Sequence, residues 1–477
     1  MEKTIRQELE PNNPNFWLES LSPIFKDRKI IITGEAVASI LPRARTAKEL
    51  GAEATFMIAT EGLGTGEMPN ENDGEWVSLG LPACEDLTQA VQESKKALVD
   101  LPKAVIDSIN IFDPNNEALV VGTFLHELPY VAGRPSLAYR KPEWLALDDK
   151  TVIDKLWDEI GVPREPSKVV EVDKLKVLEA MQTLDRGDGV VLSGDSRDGA
   201  GGGATGVKWI KSVDKIDSSL KYFIKHCDRL RVMPFLEGIP CSIHGMVFDD
   251  YVAAFRPVEM MVLRVDNTDE FFYAGVGTYW DPEQDDRIDM RKLAKRVGYA
   301  LKEKVDYRGI FTIDGVMTKE GFRPTELNPR AGAGTKALTA AFSELPLELI
   351  AQASISGHKL DYSPEELESY VLQMSDKFRG GGTWKALKEQ LKAIDKKPVK
   401  LTENGWEWTN NEADSDGTVS IGPGPLGSFV RLSPKRESIP KGLSFAPLAR
   451  NFWELIDRDF NVGIGNLNAA KSVRPRK

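Results

Sequence analysis

The sequence predicts an α/β N-terminal domain, then two α+β lobes, then a C-terminal α+β extension, and three features carry that reading. Two short apolar runs, KIIIT at 29–33 and ATFMIA at 54–59, flank a helical stretch, the usual beginning of a parallel sheet. From Asp148 the pattern changes to a helix with clear stops and a series of short strands. Residues 229–280 are dense in strand signals, which implies antiparallel pairing.

Taken in order, the first run stops at Gly34, a helix is expected over about 42–50, and the glycine-rich EGLGTGEMP at 61–69 follows the second run. ALVVGTF at 118–124 reads as a further strand and YVAGRPSLAYRKP at 130–142 as a loop, giving an open α/β domain over 1–145. A small lobe, 146–228, begins with the helix TVIDKLWDEIGV, stopped by Gly161 and Pro163, and continues with the strands SKVVEV, GDGVVLSG and GVKWIKS. In a larger lobe, 229–357, a helix is expected at about 290–304. GIFTIDGVMT and GFRPTELNPR then form a hairpin turning at Lys319–Gly321, and a helical segment runs from Gly334 to about Ile355. The extension, 358–477, should hold a helix at 364–375, a break at the glycines 380–382, another helix, and strands around GWEWT and GSFVRL.

Composition excludes several classes. With 477 residues the chain exceeds one core at about 100–200 residues per domain, and its 41% hydrophobic and 28% charged residues are ordinary for globular proteins. No run approaches the roughly 18 apolar residues that span a bilayer. The opening MEKTIRQELEPNNPNFW carries charge where a signal peptide needs an apolar stretch, so a cytoplasmic location with no membrane partner is expected. Cys84, Cys227 and Cys241 form no CxxC, and none of His126, His226, His244 and His358 is paired at helical metal spacing. A net charge of −11 opposes binding to a nucleic-acid backbone.

The strongest chemical signal is Asp314, Glu326 and Asn328. The carboxylates lie on two adjoining strands, and period-two alternation puts Glu326 and Asn328 on one face. Three hard oxygen donors so placed suit Mg²⁺, while spacing alone is equally compatible with a solvated acidic hairpin. Arg330, two residues on, is suited to grip a phosphate or an oxyanion. GAGGGATG at 199–206 lies between strands, where glycines let backbone N–H groups approach phosphate oxygens, as a plain hairpin loop also would. Arg256 and Arg264, eight apart on FRPVEMMVLR, share a face if no bulge intervenes, with Glu259 on the other.

The order DDK, helix, GVP, strand, glycine-rich hairpin, strand, FLEG, a long β stretch and then D-x₁₁-E-x-N-x-R resembles the ATP-grasp superfamily from about residue 145 to 340. The resemblance implies the ATP-grasp fold, two lobes holding ATP between them, behind an N-terminal pre-ATP-grasp domain. It implies that Asp314, Glu326 and Asn328 hold Mg²⁺ and that Arg330 faces the reacting phosphoryl or acyl group. Lys150 would touch the ATP phosphates, under a loop containing Gly201, Gly202 and Gly203. Met233, Phe235 and Leu236 would form the adenine hinge, and Arg256 and Arg264 would bind a substrate carboxylate or the transferred phosphoryl. Two departures stand out: many members carry a lysine where VVLSGD places Leu192 or Ser193, and Pro240 replaces an acid after Glu-Gly, leaving Glu237 as the local ribose-binding candidate. These departures, with FRPVEMMVLR and LGTGEMP, resemble a branch that forms peptide-like bonds in secondary metabolism.

The implied reaction is ATP- and Mg²⁺-dependent joining of a carboxylate to an amine through an acyl phosphate, with release of ADP and phosphate. Amino acids or peptides are the expected substrates, and a homodimer is compatible with the resemblance. A thiol acceptor on coenzyme A or a carrier protein, a kinase, and an inactive nucleotide sensor are the alternatives.

Overall fold

The computed structural model describes residues 16–197, 204, 206–340, 342 and 345–474. The parallel sheet at the N-terminus contains β1 (Lys29–Ala36), β2 (Ala54–Gly62), β3 (Glu75–Ser78) and β4 (Leu119–Val121) in the order β3-β2-β1-β4. It is covered on both faces, which is why its strands are apolar throughout: Ile30 and Ile32 join one core, Ile31, Phe56 and Ile58 another. The helix Val37–Glu49 follows β1 and starts earlier than the periodicity predicts. Because β1 lies between β2 and β4, a crevice opens at the carboxyl ends of β1 and β4. The segment expected as a loop contains a short hairpin, β5 (Tyr130–Val131) and β6 (Arg134–Pro135), pinned by Arg134 to Asp113 at 2.9 Å.

An antiparallel sheet follows, made of β7 (Lys168–Glu171), β8 (Val190–Gly194), β9 (Val207–Ile210) and β10 (Arg229–Pro234) in the order β7-β10-β8-β9. Helices Lys174–Leu184 and Ile216–His226 pack on one face through Val177, Met181, Leu220 and Phe223.

The largest sheet joins β11 (Ile239–Val247), β12 (Val252–Ala254), β13 (Val258–Val265), β14 (Phe271–Gly277), β15 (Gly309–Thr318) and β16 (Gly321–Asn328) to six strands of the C-terminal region. Those are β17 (Gly381–Leu387), β18 (Ile394–Thr402), β19 (Gly405–Trp408), β20 (Gly417–Gly424), β21 (Gly427–Pro434) and β22 (Leu467–Asn468). Gly275 to Gly277 pair with Gly381 to Thr383, so hydrogen bonds cross the boundary expected at 357 and 358. A helix is not formed after Gly382, as the sequence predicts, but β17 and β18. TWKALKEQLKAI is rich in helix formers, and pairing with β14 and β21 overrides that preference. The helical segment after Gly334 is two helices, Ala333–Thr339 and Leu347–Ile355, with Pro346 at the entrance to the second.

One face of this sheet is buried under helices Gln284–Val305 and Ala446–Phe460. Glu259, fully buried on that face, accepts hydrogen bonds from the Phe445 and Ala446 N–H groups at the start of the second helix; burial pushes its carboxyl up to about 7. The N-terminal domain docks at one end of the other face of the sheet, through a core that includes Met246 and Ile310 and through an Arg43–Glu348 ion pair at 2.6 Å. Among the described residues no helix is long and apolar enough to cross a membrane.

Candidate active site

The uncovered face of the large sheet is the floor of a cleft of about 1610 Å³ whose walls come from the N-terminal domain and the β7–β10 sheet. Strand alternation assigns the floor. Ile243 on β11, Ile313 on β15, Leu327 on β16 and Leu263 on β13 enter the covered cores, which leaves Ser242, Asp314, Glu326, Asn328 and Arg264 facing the cleft.

β15 and β16 form the expected hairpin, and Asp314 stands directly opposite Glu326, Thr312 opposite Asn328. The pairing skips a residue between Asp314 and Gly315, a bulge that accommodates Thr325. Asn328 Nδ2 donates to Asp314 Oδ2 at 2.9 Å, and Asn328 Oδ1 accepts from Arg330 Nη2 at 2.8 Å. Lys150 Nζ lies 3.0 Å from Glu326 Oε1. Solvent reaches Asp314 only through the cleft. Burial, and then the neighbouring Glu326 charge, push its carboxyl up to about 7 against the pull of Arg330 and Lys150. Arg330 Nε lies 3.8 Å from Asp148 Oδ1, and Asp148 is held in turn by Arg140.

At the hinge, Met233 and Pro234 end β10, and Phe235 and Leu236 follow them into the cleft lining. The Phe235 N–H already donates to Gly189 O at 3.0 Å, whereas the Leu236 N–H has no acceptor among the described residues. Phe235 stacks on Trp209 with centroids 4.0 Å apart. Arg264 lies over Phe235 at 4.9 Å and grips Glu237 with two hydrogen bonds of 2.7 and 2.9 Å. Burial would raise the Glu237 carboxyl, but the Arg264 hydrogen bonds and charge outweigh it and hold it low. Gly238 adopts φ +146°, where a Cβ would meet Met317 O at 2.1 Å, so the Glu-Gly pair is required by close packing.

The alternation on β8 resolves the ambiguity at VVLSGD. Leu192 belongs to the covered core, and Ser193 faces the cleft with Val191. Gly201, Gly202 and Gly203 lie outside the described residues.

Arg256 is not brought to the cleft. It precedes β13, on the far side of Pro257, so the alternation that places Met260, Val262 and Arg264 on the cleft face does not extend to it. Its side chain is wholly buried, hydrogen-bonded to Asp376, Asp281 and the carbonyl oxygens of Thr278 and Trp280.

Several cleft residues escaped the sequence reading. Tyr273 on β14 lies within electrostatic reach of Asp314 and Arg330, and burial raises its pKa. Lys208 on β9 lines the cleft one strand from Ser193, with Nζ 2.7 Å from Glu270. Glu35 and Glu61 end β1 and β2 in the crevice of the N-terminal sheet. Burial, and then the Glu35 charge, push Glu61 up to about 7. Period-two counting along FFYAGVG and VKWI would have marked Tyr273 and Lys208 as facing opposite to their neighbours, but not which face is open.

No family model matches the chain, and no curated protein matches it. Among solved structures it is similar to the biotin carboxylase domain of the Hydrogenobacter thermophilus 2-oxoglutarate carboxylase, a complex with MgADP, ADP and bicarbonate (TM-score 0.55, 13% identity, covering 93% of this chain and 91% of that one). It is also similar to phosphoribosylamine–glycine ligase from Thermotoga maritima (TM-score 0.51, 15% identity, 92% of this chain and 97% of that one). A third similar structure is N5-carboxyaminoimidazole synthase from Aspergillus clavatus, in complex with ADP and its aminoimidazole ribonucleotide (TM-score 0.50, 10% identity, 91% of this chain and 100% of that one). With its cleft between two antiparallel sheets behind a parallel N-terminal sheet, and with these likenesses spanning nearly its whole length, the chain has the ATP-grasp fold.

Proposed function

We propose that the chain is an ATP- and Mg²⁺-dependent ligase that activates a small-molecule carboxylate as an acyl phosphate and passes it to an amine, releasing ADP and phosphate. The observation that supports this most is the pairing of Asp314 with Glu326 beside Asn328, within reach of Lys150 and Arg330, on the floor of a cleft in this fold. Nucleotide complexes among the similar structures point the same way.

The donor set fits a hard dication. Two adjacent carboxylates with an amide oxygen suit Mg²⁺, with phosphate and water completing its shell. Asp314, Glu326 and Asn328 Oδ1 would hold it, and when bound it would neutralise phosphate charge. Lys150, now paired with Glu326, would turn to a phosphate oxygen when the metal takes the carboxylate. The Leu236 N–H offers the hinge its donor for adenine, with Met233 and Phe235 as apolar walls. Arg330 is placed to hold the oxyanion that forms when the amine attacks the acyl group. The N-terminal domain and the β7–β10 sheet flank the site and would limit the access of water to the acyl phosphate. Arg264 and Glu237 position each other at the edge of the nucleotide region, and Ser193 with the loop of Gly201, Gly202 and Gly203 would cover the phosphates.

Nucleotide turnover with a panel of amino acids and other carboxylates tests this. Glu326→Gln and Asn328→Ala are expected to abolish ADP release in folded protein; near-normal release by either removes the metal assignment. Hydroxylamine, amino acids and thiols offered as acceptors separate amide from thioester formation.

A further inference from the structure

The guanidinium of Arg330 lies between two oxygen acceptors and is bonded to one of them. Its Nη2 donates to Asn328 Oδ1 at 2.8 Å. Its Nε lies 3.8 Å from the other, Asp148 Oδ1, which is too long for a hydrogen bond. Both atoms of this second pair are shielded from solvent, and neither has a hydrogen-bond partner among the described residues. The Asp148 side chain is only 3% exposed, so bulk solvent does not answer its charge. A buried carboxylate oxygen left in this way is unfavourable. A shift of about 1 Å in Arg330 would bring the pair to hydrogen-bond distance.

Asp148 cannot turn away from this arginine. Its Oδ2 accepts from Arg140, whose side chain is itself buried. Arg140 Nη1 lies 3.5 Å from Glu127 Oε1, and Glu127 is held in turn by Lys95 at 2.5 Å. Between Arg140 and Asp148 the chain is pinned by Trp144, whose Nε1 donates to Val305 O at 3.1 Å and whose ring centroid is 4.8 Å from that of Tyr307. Tyr307 is buried and lies within electrostatic reach of Arg140, Asp148 and Arg330 together. The stretch from Arg140 to Asp148 is thus a bracket between the N-terminal domain and the cleft, with one carboxylate oxygen presented to Arg330.

The oxygen that holds Arg330 in this structure is also the one assigned to the metal. Asn328 Oδ1 cannot serve a guanidinium and a dication together without bringing like charges close in a shielded site, where repulsion is strong. We propose that Asp148 is a positioning residue for Arg330: it receives the guanidinium when Asn328 gives its oxygen to the metal, and so holds the arginine off the metal and toward the group that reacts. The bracket then couples metal loading to the aim of the arginine. This rests on the metal assignment made above and not on the identity of donor or acceptor.

Calorimetry of ADP binding to the full chain, with Mg²⁺ and with EDTA, reads the exchange without turnover. Asp148→Asn keeps an oxygen for Arg140 but offers Arg330 no charge, so Arg330 stays on Asn328. The Mg²⁺-dependent gain in ADP affinity is expected to fall about tenfold, with affinity in EDTA unchanged. Adding Arg330→Gln removes the competing cation and should restore most of that gain, whereas damage to the fold would not be repaired in this way. An undiminished gain in Asp148→Asn, or a loss that Arg330→Gln leaves in place, overturns the proposal. Wild-type protein gives a second reading that needs no Asp148 variant. The ¹⁵N–¹H resonance of Arg330 Nε, identified by its disappearance in Arg330→Lys, should move downfield and exchange more slowly when Mg²⁺ and ADP are added. A resonance that stays in place, or wild-type protein with no Mg²⁺-dependent gain at all, also overturns it. A failed ligase reading has a different signature: suppression by Arg330→Gln and the resonance shift persist while no carboxylate supports amide or thioester formation.

Discussion

Two arginine-rich regions on opposite sides of the large sheet differ in how their charge is balanced. Behind the sheet, Arg256 is wholly buried and its charge is balanced: two aspartates and two carbonyl oxygens accept from its two terminal nitrogens, with Arg287 and Arg379 sharing the same acids. On the cleft side, Asp314 and Glu326 sit side by side, with Lys150 at 3.0 Å from Glu326 and the Arg330 charge within reach of Asp314, and the carboxyl of Asp314 is still pushed up. A fold that only had to be stable has no need to set two carboxylates side by side in a partly buried cleft, because each raises the cost of ionising the other. The contrast separates arginines that hold the structure from charged groups that await a ligand.

Swapping roles across the sheet would break this comparison, and the largest effect is expected on the cleft side. Glu326→Gln removes one of two metal-binding carboxylates and should lower ADP release about a hundred- to a thousand-fold, with the thermal midpoint little changed. Arg256→Ala should do the reverse. Breaking a buried ion pair destabilises by about 3 kcal/mol, at the low end for such pairs because Asp281 and Asp376 are partly exposed, while turnover per folded molecule stays near wild type. Urea unfolding midpoints read the first quantity and ADP release the second; an Arg256→Ala protein that is stable but inactive would return this arginine to the site.

A smaller effect sharpens the comparison at the N-terminal wall. Burial and the Glu35 charge raise Glu61 from its ordinary value of 4.5 to about 7. The folded state therefore binds a proton that the unfolded state has lost, so the Glu61 contribution is fully present below about 4.5 and declines as pH rises through 7. Glu61→Gln should be increasingly stabilised relative to wild type across that window and constant outside it. Urea titrations at several pH values read the difference, which also cancels the similar titrations of Glu259 and Asp314. A flat difference would mean that Glu61 ionises normally.

What the sequence made legible was local. Period-two alternation put Glu326 and Asn328 on one face, and a tight turn between apolar runs located the β15–β16 hairpin, because both depend on neighbouring residues alone. Arg256 was misplaced because alternation was counted through Phe255 and Pro257, where the strand is interrupted. β17 was hidden for a related reason. TWKALKEQL prefers helix by itself, and the edge of β14 that converts it lies more than 100 residues earlier in the chain. The helix Ala446–Phe460 was overlooked although Ala449, Phe452, Trp453 and Ile456 recur at helical spacing.

The central claim is that the β15–β16 end of the cleft moves the terminal phosphoryl group of ATP onto a carboxylate. The most direct measurement follows a heavy-oxygen label placed in the carboxylate of the donor that supports turnover, with the products separated and weighed by mass spectrometry. Attack on the terminal phosphorus predicts ADP, and one labelled oxygen carried from the carboxylate into the released phosphate. Label in AMP, with pyrophosphate formed in equal amount, would place the attack at the innermost phosphorus and contradict the account.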